Sequence, residues 1–318
     1  MNDAALIINI GIALITAVAV CVWIKDMKVH KEDLKVEMKV GGPMKAVKAS
    51  VIAMVTLFFD YIGIGCYAPM TATWKIFKVT RDKFIPGTLQ IACLMATCIE
   101  SIACITLIEV ETWTLVVTIV TAALGSFIGG GIVAKLPLKP IRVGIGIALL
   151  VVAVVLILKL AGYLSIPAEG IGVSGWKLAV LGIVSFFLGA LMTIGVGYYA
   201  PTMAIAALLG LNASVAWPLF LGGCAYLIPV AAIRFLMASI KDNESVYDRK
   251  VAIYTNTIGL IGPIIAIYFV ISMDLFYLNC LVICVITYVG ATMLYQGIKN
   301  KNDAVADTEE EEKKTIEV

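Results

Sequence analysis

Gly63-Ile64-Gly65-Cys66-Tyr67-Ala68-Pro69-Met70-Thr71 returns later in the chain as Gly195-Val196-Gly197-Tyr198-Tyr199-Ala200-Pro201-Thr202-Met203. Gly63, Gly65, Tyr67, Ala68 and Pro69 each meet an identical residue 132 positions on, at Gly195, Gly197, Tyr199, Ala200 and Pro201. The same offset carries Pro86 onto Pro218, so the register continues beyond the motif without a gap. Self-similarity of this kind fixes the architecture before any local reading. Each copy interrupts an apolar stretch with glycines and a proline. In a membrane protein, matched interruptions in two halves point to a ligand bound between them.

The composition supports a membrane setting. Hydrophobic residues make up 61% of the chain and charged residues 14%, against roughly half and a quarter in a soluble domain. Several stretches of about 20 residues carry almost no charge, long enough for a hydrocarbon core of about 30 Å. The eight cysteines all lie in apolar segments, which predicts small buried hydrophobes rather than a disulfide framework. The start, Met1-Asn2-Asp3, lacks the positive region of a cleavable signal, and the apolar run 4–24 reads as a membrane span.

Residues 25–48 hold seven lysines among acidic residues. They read as an interfacial helix or a charged linker, in the cytoplasm by their lysine excess. That places the amino terminus outside. The loop after the first motif is also basic, with Lys75, Lys78, Arg81 and Lys83. A simple crossing at 48–74 would put that loop outside, against the positive-inside bias. A re-entrant hairpin removes the conflict. Ser50 to Ile62 forms one arm of about 20 Å, the glycines turn the chain, and Pro69 opens a second arm, where its missing N–H costs nothing.

Spans are expected at 86–108, 114–135 and 141–161, then a second hairpin at 177–209 and spans at 214–237, 251–273 and 275–297. The fold class is an all-α polytopic membrane protein with two inverted repeats, each a hairpin or broken helix plus three transmembrane helices. An extra amino-terminal helix and charged segment occupy 1–47, the repeats 48–163 and 176–298, and an acidic cytoplasmic tail 299–318. Multi-pass insertion in the cell membrane follows. Trp74, Trp113 and Trp176 fall at expected boundaries and read as an aromatic belt.

From about Lys48 to Ile298 the chain resembles the TauE/SafE family of membrane permeases, the sulfite-exporter family. The doubled motif carries the resemblance, together with the run Gly125-Ser126-Phe127-Ile128-Gly129-Gly130-Gly131-Ile132-Val133-Ala134-Lys135-Leu136-Pro137 and its weaker counterpart Gly259-Leu260-Ile261-Gly262-Pro263. The resemblance implies transport of small anions, often sulfur oxyanions or organosulfonates such as sulfite. The tips depart from the family's smaller residues at Cys66-Tyr67 and Tyr198-Tyr199.

The breaks have their own electrostatics. A helix starting at Pro69 or Pro201 leaves its first N–H groups unpaired and carries about half a positive charge there. At mid-depth, lipid cannot satisfy those groups and an anion can. Gly63, Gly65, Gly195 and Gly197 let backbone approach a ligand. Thr71 and Thr202 offer hydroxyls, and Cys66, Tyr67 and Tyr199 crowd the tips. The other reading of the same residues is kinked, packed helices. Asp60 and Glu100 are intramembrane carboxyls, functional by default and candidates to carry a coupling proton; Asp60 reads equally as a cap for the hairpin. Arg234 and Lys159 read as snorkelling near span ends.

The expectation is therefore a secondary transporter of a small anion, with lipid and a coupling proton as its other partners. Uptake of thiosulfate or other reduced sulfur species, with Cys66 on sulfur, and an anion channel are the rival readings. An enzyme is not expected, since His30 is the only histidine and no nucleophile–base pair is evident. No metal, cofactor or nucleic acid is expected, and the oligomeric state is open.

Overall fold

The computed structural model describes residues 3–129, 138–163, 170–192, 198–242 and 245–299. These residues are helical throughout, with no strand beyond one isolated bridge between Gly170 and Leu211. Among them, seven helices are long and apolar enough to cross a membrane: Ala5–Val29, Gly42–Ile62, Asp82–Leu107, Pro140–Leu160, Ala213–Lys241, Arg249–Ile271 and Leu275–Tyr295. The protein is an all-α, multi-pass membrane protein. Its outward residues fit that setting: Ile7, Leu14, Val151, Val154, Ile264 and Ile265 are all exposed, as side chains facing lipid must be.

Helix α1 spans Asp3–Val29 and α2 spans Lys31–Lys39. Gly41 and Gly42 take positive φ, and Pro43 opens α3, Gly42–Ile62. Glycine ends one helix because it tolerates the left-handed conformation, and proline starts the next. The charged segment is thus a short helix, α2, with none of its residues buried, rather than one continuous interfacial helix through Met27. The first arm is also longer than the expected stretch from Ser50, because the lysines at 45 and 48 stay inside a helix that starts at Gly42.

At Gly63 (φ +106) the arm stops, with Gly63 N donating to Asp60 O at 2.9 Å and Ile64 N to Phe59 O at 3.1 Å. That pair of bonds is the Schellman ending of a helix. The chain re-enters helix as α4, Tyr67–Ile76. A single 3-10 turn at Asp82–Phe84 leads to α5, Ile85–Ala92, and α6, Leu94–Leu107, which meet at a break at Cys93. Then come α7, Thr112–Leu124, with a π turn at Gly125–Gly129, and α8, Leu138–Leu160. The second half has α9, Trp176–Met192, α10, Tyr199–Leu208, a 3-10 turn at Ala213–Val215 and α11, Ala216–Asp242. It ends with α12, Arg249–Thr255, α13, Ile261–Ile271, and α14, Leu275–Lys299.

Two sets of hydrogen bonds fix where each hairpin opens. At one end of the molecule, Lys45 Nζ donates to Asp248 Oδ2 at 2.6 Å and Asp248 N donates to Thr88 Oγ1 at 2.9 Å. The first turns of α3 and the first turns of α5, the helix that follows the hairpin, therefore meet at one residue, Asp248. The segment Asp82–Leu107, 26 residues or roughly 39 Å at 1.5 Å per residue, then runs to the other end. There Lys177 Nζ donates to Leu209 O at 3.0 Å, joining the start of α9 to the end of α10. Nearby, Asn212 N donates to Gly170 O and Glu111 N to Ile171 O, each at 2.8 Å. The two hairpins are thus tied off near opposite ends of the 82–107 segment.

Glycines set the packing of each hairpin's long arm. Gly262 lies against Met54 O and Gly125 against Phe186 O, so close that a Cβ at either would collide with backbone. Met54 and Phe186 are themselves 132 positions apart. Trp113 and Trp176 are exposed, but Trp74 is fully buried. Trp74 is thus a packing residue of α4, because that helix returns through protein rather than along lipid. The glycine-rich residues 130–137, the hairpin glycines Gly195 and Gly197, and the acidic tail beyond 299 lie outside the described residues.

Candidate functional site

The first tip is organised by Asp60. Its Oδ1 accepts from Cys66 N at 2.7 Å, reaching across the Gly63–Gly65 turn to the start of α4. Gly65 (φ +86) makes the turn possible and has open space where a Cβ would stand. A carboxylate bonded to the amino end of a helix both satisfies an orphan N–H and complements the helix dipole. Asp60 is thus the cap of this hairpin, and its second oxygen, Oδ2, faces Tyr199 OH of the second hairpin at 3.5 Å.

The repeat partner of Asp60 is Met192, which has no such group to offer. Helix α10 starts without a side-chain cap from its N-cap residue, Tyr198. The two repeats therefore differ in charge at this position.

Residues of both tips line one cavity of about 280 Å³: Asp60, Gly65, Cys66, Tyr67 and Pro69 from the first, Tyr198, Tyr199 and Ala200 from the second. Met192, Ile228 and, from α14, Tyr288 and Thr292 complete much of its wall. Arg142, near the start of α8, also lines it and makes no hydrogen bond or ion pair among the described residues. An unpaired guanidinium in a cavity wall is a strong attractor for a planar or tetrahedral oxyanion.

A larger cavity, about 950 Å³, shares Tyr67, Met192 and Ile228 with the first and adds Gln90 and Arg234. Those three shared side chains divide the two spaces. Tyr67 is held in place by its OH donating to Gln90 Oε1 at 2.9 Å. Arg234 thus borders a cavity rather than only snorkelling. A third cavity, about 540 Å³, lies between α8, α10 and α14, with Lys159, Asn212 and Asn279 in its wall. Met203 lines it too, and Met203 Cε presses on the face of Gly63 where a Cβ would be. Met203 thus stands between this cavity and the first tip.

The remaining sequence candidates fall in several places. Thr202 is fully buried and donates its hydroxyl to Tyr198 O at 2.8 Å, within its own helix, so it is not free to bind a ligand. Thr71, Pro201 and Gly63 are absent from the shared cavity's wall. Ala72 takes the place expected for Thr71, lining the cavity from the second turn of α4. Gly195 and Gly197 lie outside the described residues.

Glu100 is fully buried and neither carboxyl oxygen has a hydrogen-bond partner. It borders none of these three cavities. Tyr61 contributes backbone rather than hydroxyl, its carbonyl accepting from Trp217 Nε1 at 2.7 Å.

All eight cysteines are free thiols. Cys66 Sγ faces Cys93 Sγ at 3.2 Å, bringing the first tip against the break between α5 and α6. That break is held by Asn256, whose Nδ2 donates to Ile91 O at 2.7 Å while its Oδ1 accepts from Met95 N at 3.1 Å. Among the described residues no group of three or more His, Cys, Asp or Glu side chains could hold a metal ion.

The sequence singles out the two motifs and Asp60, but not Arg142, Gln90, Met192 or Met203, as residues of interest around the tips. Arg142 is a basic residue at the opening of the 141–161 span. Its place near the start of an apolar span, close to the glycine run, was the available signal. Compared with protein-family models, with curated proteins and with solved structures, the chain matches none.

Proposed function

We propose that the protein is a secondary transporter of a small anion, with two inverted repeats presenting their hairpin tips to one substrate. The observation that carries this reading is the cavity of about 280 Å³ walled by both tips and by Arg142. Its size suits a small solute, since pockets for drug-sized ligands run from about 300 to 1,000 Å³. Hairpins tied off near opposite ends and meeting at their tips support the inverted plan. A sulfur oxyanion or organosulfonate such as sulfite is the substrate class, in keeping with the resemblance to the TauE/SafE permeases.

The charge asymmetry of the tips gives the anion a place. Asp60 already occupies the positive end of α4, whereas α10 has methionine at the equivalent position. The visiting anion binds on the α10 side, between Tyr199 and Arg142. Its negative charge then opposes that of Asp60 across the cavity, so binding favours proton uptake at the carboxyl. Proton and anion move in the same direction, and Glu100 serves as the second proton holder behind Asp60. The large cavity with Arg234 and the cavity with Lys159 are the approaches from the two sides. Tyr67 and Met203 are the residues that separate them from the tips.

The test is flux into proteoliposomes for sulfite, sulfate, thiosulfate, a sulfonate and small carboxylates, with and without a proton gradient. Saturable uptake of a sulfur anion, driven by the gradient, is expected. Ohmic, non-saturating current would instead assign a channel, and selective uptake of thiosulfate the reduced-sulfur reading favoured by Cys66 in the cavity wall. Absence of flux for every anion would overturn the proposal.

A further inference from the structure

The two facing sulfurs, Cys66 Sγ and Cys93 Sγ, lie 3.2 Å apart, and among the described residues the Cys93 side chain has no other hydrogen-bond partner. The other buried thiols are engaged differently. Cys104 donates to Ser101 O at 3.3 Å, and Cys224 faces the Met192 thioether at 3.6 Å. Closing the first pair to a disulfide needs a movement of only about 1 Å, to the usual 2.05 Å.

Cys66 sits where backbone can give: it follows the Gly63–Gly65 turn, whose glycines hold φ +106 and +86. Cys93 stands at the junction of α5 and α6, held there by its own N donating to Leu89 O and its O accepting from Thr97 N, each at 3.0 Å. Cys66 lines the tip cavity, which gives a small, neutral oxidant a route to its sulfur.

We propose that Cys66 and Cys93 are an oxidation site at which a small peroxide forms a reversible disulfide, fastening the first hairpin tip to the break in the 82–107 segment. The chemistry balances in two steps. Cys66 sulfur attacks one peroxide oxygen, the O–O bond breaks, and the thiol becomes a sulfenic acid with release of one water. Cys93 sulfur then attacks the sulfenic sulfur, the S–O bond breaks, and a second water leaves with the thiol proton. Overall two thiols lose two hydrogens, and the peroxide takes both electrons.

The consequence is mechanical. Cys66 is part of the turn that Asp60 caps, so a bond to Cys93 holds Asp60, the start of α4 and the α5–α6 break as one body. Oxidation thereby arrests whatever movement this tip makes, independently of the solute carried.

The experiment uses the full chain in liposomes, treated with hydrogen peroxide and then with dithiothreitol. Thiols titrated in denaturant should fall from eight to six, and peptide mapping should find Cys66 joined to Cys93. Amide exchange over residues 63–72 should slow on oxidation and recover on reduction. Cys66→Ser and Cys93→Ala should each lose the linked peptide and the exchange effect, while Cys224→Ser keeps both. If the single variants fail to fold, mapping of the unmodified chain decides alone. Linkage of Cys66 to any other cysteine, oxidation that stops at sulfinic acid, or eight thiols after treatment would overturn the proposal. None of these readouts depends on transport, so the result stands apart from the fate of the anion reading.

Discussion

Lys78 and Gly210 hold the same left-handed backbone conformation, φ +49 and +87, at positions 132 apart. Each closes the second arm of its hairpin with the same pair of bonds. Lys78 N donates to Lys75 O at 3.2 Å and Val79 N to Trp74 O at 2.9 Å; Gly210 N donates to Ala207 O at 3.2 Å and Leu211 N to Ala206 O at 3.1 Å. The arms themselves, Tyr67–Ile76 and Tyr199–Leu208, coincide end to end under that offset. One backbone design is used twice, and only the second copy has the residue best suited to its last turn.

Lys78 is the only non-glycine residue with positive φ among the described residues, a conformation costing an L-residue about 1–2 kcal/mol. Lys78→Gly should therefore raise stability by up to about 1 kcal/mol, part of the gain being lost to the greater freedom of glycine when unfolded. Gly210→Ala should lower it by about 1 kcal/mol. Unfolding in detergent with a graded denaturant checks both. Equal and opposite shifts are not required, but a destabilised Lys78→Gly would contradict the strain assigned to that position.

Much of this was legible in the sequence because backbone breaks are written in glycine and proline, whose conformational limits do not depend on context. Gly63, Gly65 and Pro69 marked the first break, which falls between α3 and α4. The inward ends of side chains were not legible. Thr202 looked like a donor, yet a buried threonine in a helix finds its nearest acceptor in the preceding turn, here Tyr198 O. Arg142 is one more basic residue near the start of a span in the sequence, and only the packing of α8 places it in the wall of the tip cavity. Trp74 looked interfacial because its neighbours are charged, whereas re-entry buries it.

The ends of the first hairpin should label from one side. Lys39→Cys and Lys78→Cys, both at exposed positions, should react with an impermeant maleimide added to the same face of sealed vesicles. Tyr163→Cys, exposed just beyond the far end of α8, should react only from the other face. The background must lack the lipid-facing Cys21 and Cys284. Labelling of positions 39 and 78 from opposite faces would contradict re-entry, and with it the meeting of Lys45 and Thr88 at Asp248.

A buried network joins α1 and α2 to the start of α12, and it should give the fold a pH dependence. Arg249 Nη1 donates to Glu37 Oε1 at 2.8 Å, and Arg249 Nε donates to Asp26 Oδ2 at 3.2 Å. Lys250 Nζ donates to the carbonyls of Met38, Val40 and Gly42, from the end of α2 to the start of α3. Burial holds the Glu37 carboxyl above the ordinary glutamate range, and the Arg249 guanidinium offsets only part of that rise. An acid with a raised folded pKa holds its proton more tightly when folded. Stability contributed by this group therefore falls as pH rises from the ordinary glutamate value to the raised one, then levels off. Glu37→Gln should flatten that fall, read as melting temperature against pH between about 4 and 7. An unchanged slope would remove Glu37 as its source.

Arg142 should matter more for affinity than Arg234. A hydrogen bond to a charged group contributes about 1.5–3 kcal/mol, so Arg142→Gln should weaken binding of the transported anion roughly tenfold to a hundredfold. Arg234 stands in the wider cavity, where charge mainly speeds arrival and is screened by salt. Arg234→Gln should slow uptake at low ionic strength and leave the saturation constant nearly unchanged. Equal losses of affinity in both variants would place the bound anion in the larger cavity instead.

Asp60 caps the hairpin and, in the transport cycle proposed above, carries the coupling proton; substitution can separate the two roles. As a cap, it supplies an acceptor to Cys66 N at 2.7 Å, and an amide oxygen can do the same. As a proton carrier, it must change charge, and an amide cannot. Asp60→Asn should therefore keep the fold and still bind the anion, more tightly than before because the opposing charge is gone. It should lose the response of flux to a proton gradient. Asp60→Ala leaves Cys66 N without its acceptor in a buried turn, a loss of about 1–3 kcal/mol, and should be destabilised where Asp60→Asn is not. Proton-gradient-driven uptake in proteoliposomes, measured beside anion affinity and melting temperature, separates the cases. A folded Asp60→Asn protein that binds the anion and still follows the gradient would move the coupling proton to Glu100, whose buried carboxyl has no hydrogen-bond partner to hold it. Glu100→Gln should then abolish coupling at little cost in stability, since neither oxygen gives up a bond when the charge is removed.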